Sequence, residues 1–195
     1  MSLPKLLQTT RQKITLPAAA AAMGGGPETS ATLSFSQQTQ QQNLWCWAAV
    51  TVSVSLFYNA GSGWSQCSLV NAELGRSDCC FNGGLSVCNR TSTLDAPLSR
   101  AGNLNVMRDS LVAFPDVVSE IGSNHPVGCR IGWPDGEGHF VVVHGYSNDA
   151  KGSWVSVADP FYGPSTYVYD AFCTSYRNSG KQWKMDTQLL HATMN

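Results

Sequence analysis

The sequence predicts an α+β fold, with helical material first and an antiparallel sheet after it. Three observations lead there. The apolar run Trp45 to Tyr58 is long for a strand and carries the helix-forming pair Ala48-Ala49. From Val127 onward, short runs rich in Val, Phe, Tyr and Trp recur between turn signals. Between these regions, residues 59–93 are rich in Gly, Ser, Asn and Cys and match neither period.

Residues 1–33 read as a disordered leader or linker before a domain spanning 34–195. Lys5, Arg11 and Lys13 are followed by Ala18–Ala22 and Gly24–Gly26, without the continuous apolar segment of a Sec-type signal. In the run that follows, Val50, Thr51, Val52 and Val54 favour a strand, but length and the alanines favour a buried helix, with Gly61 as its stop. Residues 64–90 read as a cysteine-rich insert, irregular and held by cross-links instead of a packed core. A short helix is expected over Leu94–Arg100. Pro115 and Gly122 bracket another over Asp116–Ile121. Strands are expected at Val127–Trp133, Phe140–Tyr146, Trp154–Ala158, Thr166–Tyr169 and Gln182–Leu190. Pro134-Asp135-Gly136 and the stretch Asn148 to Gly152 supply hairpin connections.

The 195 residues suit one domain, and a hydrophobic fraction of 43% suits a globular one. Charged residues make up 13%, and Lys+Arg 12 against Asp+Glu 13 leave a net charge of -1. No basic stripe invites nucleic acid. No apolar run reaches the roughly 20 residues that cross a bilayer, so membrane insertion is not expected. Of the seven cysteines, setting Cys46 aside leaves Cys67, Cys79, Cys80, Cys88, Cys129 and Cys173. Cys79 and Cys80 are adjacent and should face different partners, with Cys67 and Cys88 the nearest, which leaves Cys129 for Cys173. Unpaired structural thiols are the second reading. A zinc site is the third, disfavoured because no C-x-x-C occurs. Disulfides imply an oxidising destination, so secretion or export by a non-Sec route is expected.

The chemistry concentrates at Trp45-Cys46-Trp47, where polar chain gives way to the apolar helix. A helix starting there directs free N–H groups and its positive dipole end at the sulfur, favouring the nucleophilic thiolate. Gln40, six positions earlier, offers an amide donor for a developing oxyanion, although other glutamines surround it. Of the four histidines, His139 opens an apolar strand after Gly138, where a base is held rigidly yet open to a cleft. His144, on the other strand face, reads as a packing residue, and His125 and His191 receive no role. Pairing Tyr146 with Trp154 and Ser147 with Ser153 puts His139 opposite Phe161 and Asp159 one diagonal step away. Asp159 can then accept from His139 Nδ1–H and fix the ring.

Gln40, Trp45-Cys46-Trp47-Ala48-Ala49, Gly138-His139-Phe140-Val141-Val142 and Asp159-Pro160 together resemble the bacterial papain-like cysteine peptidases, the type that includes secreted plant-pathogen effector proteases. The resemblance spans about residues 35–190. It implies a papain-like fold with a helical part carrying Cys46, a sheet part carrying His139 and Asp159, and a cleft between them. It implies Cys46 as nucleophile, His139 as general base and acid, Asp159 as orienting group and Gln40 as oxyanion donor. The expected activity is peptide-bond hydrolysis through a thioester, on a peptide or protein substrate, by a monomer needing no metal or organic cofactor. The alternatives are an acyltransferase or transglutaminase-like enzyme using the same triad, and a secreted binding module with a vestigial site.

Overall fold

The computed structural model describes residues 29–108, 110–178 and 185–190. Residues 1–28 and His191 lie outside them. Helix α1 spans Cys46–Tyr58, and every residue from Cys46 to Ser55 is buried. Such a helix has no solvent stripe because neighbours cover it on all sides. Its polar side chains survive burial by bonding back into the helix, Thr51 Oγ1 to Trp47 O at 2.9 Å and Ser53 Oγ to Ala49 O at 2.7 Å.

The region expected to be irregular holds two helices, α2 at Gln66–Leu74 and α3 at Cys79–Asn82. The signal for α2 lay in its ends. Ser65 and Ser68 bond reciprocally as a capping box, and Gly75 stops the helix at φ 62°. Cross-links do hold this insert, as Cys67–Cys80 and Cys79–Cys88. The expected Cys129–Cys173 bridge is corrected, since both thiols are free and buried. Cys129 Sγ donates to Val127 O at 3.8 Å instead.

Helix α4 (Asp95–Arg100), strand β2 (Leu104–Arg108) and helix α5 (Phe114–Gly122) lead into the sheet. The sheet strands are β1 (Thr29–Thr32), β3 (Val127–Gly132), β4 (Gly138–Asp149), β5 (Gly152–Asp159), β6 (Gly163–Val168) and β7 (Met185–Leu190). Their order is β2-β7-β3-β4-β5-β6, with β1 paired to β4, and all pairings are antiparallel. Thr29–Thr32, expected within the leader, pairs with the far half of β4, Thr29 opposite Asn148. Tyr169, expected to end a strand, instead begins helix α6 (Tyr169–Ser175), which a 3-10 turn at Tyr176–Asn178 follows.

Strand alternation divides the core in two. Phe140, Val142 and Ala158 face the cluster around α1, while Val141, Val143, Val155 and Val157 join Phe172 and Tyr176 on the other side. The insert packs on the first cluster through Gly83, where a Cβ would sit 2.9 Å from the Trp45 ring and 3.0 Å from Cys79 O. Gly83→Ala is therefore expected to destabilise the fold by about 1–3 kcal/mol, measured by urea unfolding. No change in midpoint would mean that this contact does not constrain the turn at Trp45 and Cys46.

Candidate active site

Cys46 is the first residue of α1, and Trp45 before it provides no side-chain cap. The first intrahelical bond runs from Ala49 N to Trp45 O at 2.9 Å. The N–H groups of Cys46, Trp47 and Ala48 precede it, so the helix makes no use of them. The flanking tryptophans anchor this turn to the insert. Trp45 Nε1 donates to Cys88 O at 2.9 Å and Trp47 Nε1 to Arg90 O at 3.0 Å. Leu44 N donates to Asn89 Oδ1 at 3.0 Å.

The glutamine-rich approach is not a slack linker. Ser53 Oγ on α1 accepts from Gln38 N at 2.8 Å and Gln37 Nε2 at 3.1 Å. Buried Gln66 on α2 accepts from Gln41 N at 2.9 Å and donates to Thr39 O at 2.9 Å. Gln40 N donates to Pro160 O at 2.9 Å, tying the approach to the segment that follows Asp159. Gln40 lines the same cleft as Cys46. Its Nε2, however, donates to Gln42 O at 2.9 Å and Asn43 O at 2.8 Å, so the expected free amide donor is engaged in the turn.

His139 is the second residue of β4 and Asp159 the last of β5. The assumed hairpin register is one residue off at the turn, where Tyr146 pairs with Val155 and Ser147 with Trp154. A bulge between Val143 and Gly145 absorbs the error, so Val143 meets Val157 and Val142 meets Ala158. His139 and Asp159 consequently share the face expected of them. Nε2 of His139 donates to Asp159 Oδ1 at 2.9 Å, which corrects the expected Nδ1 contact. Nδ1 is thereby left free of Asp159, and His139 lines the same cleft as Cys46. Trp133 stacks on the imidazole at 6.4 Å and Tyr162 meets it edge-on at 6.1 Å, which restrains the ring.

Burial alone would disfavour the charged imidazole. The hydrogen bonds and charges of Asp159 and Cys46 outweigh it and raise the His139 pKa to about 9. Burial likewise works against an ionised Asp159, but bonding to His139, the imidazolium charge, Tyr176 and the Tyr162 N–H hold it below the ordinary carboxylate value. Asp159 Oδ1 also accepts from Phe161 N at 2.7 Å and Tyr162 N at 2.9 Å, and Oδ2 accepts from Tyr176 Oη at 2.6 Å. Nothing in the sequence distinguished Tyr176 from Tyr167 or Tyr169. His144 sits beside Phe35 with centroids 6.1 Å apart, as a packing residue would, and His125 pairs with Glu120 at 3.1 Å.

Cys46 and His139 open on a cleft of about 1100 Å³ whose walls include Gln40, Trp47, Trp133, Phe161 and Tyr162. Asp159 lies behind it, its side chain 0% exposed. A thiol and an imidazole on one cleft, a buried carboxylate bonded to the imidazole and unused helix N–H groups are the equipment of a cysteine hydrolase. The family described as papain-like cysteine protease AvrRpt2 matches residues 27–177, and the chain belongs to it. The protein is thus a papain-like cysteine peptidase, acting on peptide or protein substrates. Among solved structures it is similar to the Pseudomonas avirulence protein AvrPphB at 11% identity and a TM-score of 0.35, over 80% of this chain and 96% of that one. A likeness at that level does not establish a shared fold. No curated protein sequence matches the chain.

Proposed function

We propose that the chain cleaves peptide bonds through a Cys46–His139–Asp159 triad and a thioester intermediate. The observation that carries this is the His139–Asp159 hydrogen bond at 2.9 Å behind a cleft that Cys46 and His139 line together, with the carboxylate sealed off from it. The thiolate of Cys46 attacks the substrate carbonyl carbon. The negative oxygen that forms is met by the Cys46 N–H and by the Gln40 amide, which exchanges one of its two turn bonds for it. His139 gives its proton to the departing amine as the carbon–nitrogen bond breaks. Water then attacks the thioester while His139 takes the water's proton, releasing the acid and regenerating the thiolate.

The wider reading is a papain-like arrangement, with α1 and the insert on one side of the cleft and the strands carrying His139 and Asp159 on the other. The catalytic unit runs from Thr29 onward, with the insert at about 64–90 as its brace, and it works as a monomer because one chain supplies every group. Export, and a role as an effector, are supported by the two disulfides of the insert and by the family. No helix among the described residues is long and apolar enough to cross a membrane. An irreversible thiol-reactive peptidyl inhibitor, followed by peptide mapping, tests the site. Modification of Cys46 alone is expected, with loss of activity in proportion. Loss of activity with Cys46 unmodified would overturn it.

A further inference from the structure

We propose that Tyr176 is a positioning residue of this peptidase, its hydroxyl and the adjoining Arg177 guanidinium aiming the Asp159 carboxylate at His139. The inference rests on the triad reading above and extends it by one buried residue and one half-buried residue.

The two oxygens of Asp159 are served unequally. Oδ1 takes His139 Nε2 and the N–H groups of Phe161 and Tyr162, while Tyr176 Oη reaches Oδ2 at 2.6 Å. A carboxylate held only at one oxygen can still rotate about its Cβ–Cγ bond. A donor on the second oxygen sets the plane, and with it the direction from which Oδ1 receives the imidazole N–H. Tyr176 is suited to this because it cannot move. It is 0% exposed, and its ring is packed against Tyr167 at 5.0 Å and edge-on to Phe172 at 5.7 Å. Burial, and then the Asp159 charge, push its own ionisation far above the ordinary tyrosine value, so it remains a donor wherever the enzyme works.

The backbone brings Arg177 to the same place. Arg177 has φ 62° and ψ 27°, the left-handed region that a non-glycine residue seldom occupies without support. That kink lets Tyr176 point inward while Arg177 folds back over the Tyr162 ring, 4.4 Å from its centroid, and stands 5.8 Å from the Tyr176 ring centroid. Tyr162 is the ring that meets His139 edge-on. Arg177 therefore braces the imidazole along two routes, through Tyr176 and Asp159 and through Tyr162. Strain maintained at a residue that touches both routes fits a positioning role better than incidental packing.

Tyr176→Phe removes one oxygen and keeps the ring. With a peptide substrate, kcat is expected to fall roughly 10- to 100-fold while KM stays close to the parental value, because Tyr176 does not line the cleft. The acid limb of the kcat/KM profile is expected to move to higher pH, since Asp159 loses a donor that favours its charged form. The rate of Cys46 alkylation by iodoacetamide, followed against pH, should move in the same direction, and it needs no peptide turnover. A residue that only packs would leave both profiles in place. If Tyr176→Phe fails to fold, Arg177→Gln serves, with the same limb shift at smaller amplitude. A folded Tyr176→Phe with parental kcat and an unmoved acid limb overturns the inference, as does an unmoved limb in Arg177→Gln where that variant must be used. Cys46→Ala, run beside them, separates the two levels: its retained activity would defeat the triad itself, whereas its inactivity with a normal Tyr176→Phe defeats only the role of Tyr176.

Discussion

Cys46→Ala is expected to abolish peptide hydrolysis, lowering kcat by about 10⁴-fold or more, while the protein still unfolds in one cooperative transition. The size follows from the proposed mechanism, in which the Cys46 sulfur forms the thioester and the remaining site contributes only binding and oxyanion stabilisation. The fold should survive because α1 is held by residues other than the sulfur. Trp45 and Trp47 are buried and bonded to Cys88 O and Arg90 O, and Ser53 fastens the approach segment. The measurement is initial rate on a fluorogenic peptide, with thermal unfolding of the same preparation. Parental rates in a folded Cys46→Ala would remove the nucleophile from the mechanism, and the triad with it.

The second large effect is at Asp159. Asp159→Ala is expected to reduce kcat/KM by about 10²- to 10⁴-fold and to destabilise the fold by about 3–5 kcal/mol. The stability loss arises because donors from His139, Phe161, Tyr162 and Tyr176 converge on this one carboxylate and would lose their acceptor together. Asp159→Asn keeps an acceptor and removes the charge, so its loss of rate is smaller and its signature lies in pH. In the parent, His139 is raised from 6.5 to about 9, so the imidazolium persists through neutral pH and the basic limb of kcat/KM falls near pH 9. The stabilising share of this raised group follows the same sign: it is complete below pH 6.5 and is lost as pH climbs through 9. Without the Asp159 charge, burial is opposed less, and the basic limb should move to lower pH. A basic limb that stayed near 9 in Asp159→Asn would show that Asp159 does not hold the imidazole's proton.

Some features were legible before any coordinates. The Trp-Cys-Trp step announced both a helix and its start, because a thiol at the change from polar to apolar chain has few other uses. Gly138-His139 at a strand mouth and Asp159 before Pro160 were read onto one face by strand alternation together with an assumed hairpin register. The error lay in the hairpin register, and it was harmless because the bulge near His144 shifted the pairing back before His139. Helix α2 and strand β1 were missed for a common reason: neither carries a run of apolar residues. Serine caps and a glycine stop made the first, and pairing with the far half of β4 made the second.

Local sequence determined which groups are candidates for the proposed chemistry: the sulfur of Cys46 at a helix start, the imidazole of His139, and the carboxylate of Asp159. Only tertiary structure decided how they are held. The use of Nε2 for Asp159, the engagement of the Gln40 amide by its own turn, the choice of Cys80 for Cys67, and the placing of Tyr176 and Arg177 behind the carboxylate all depend on contacts between distant segments. Periodicity and caps act over a few residues and leave their mark in composition. A hydrogen bond between residues far apart depends on where the intervening chain puts them, and that is set by packing of the whole domain.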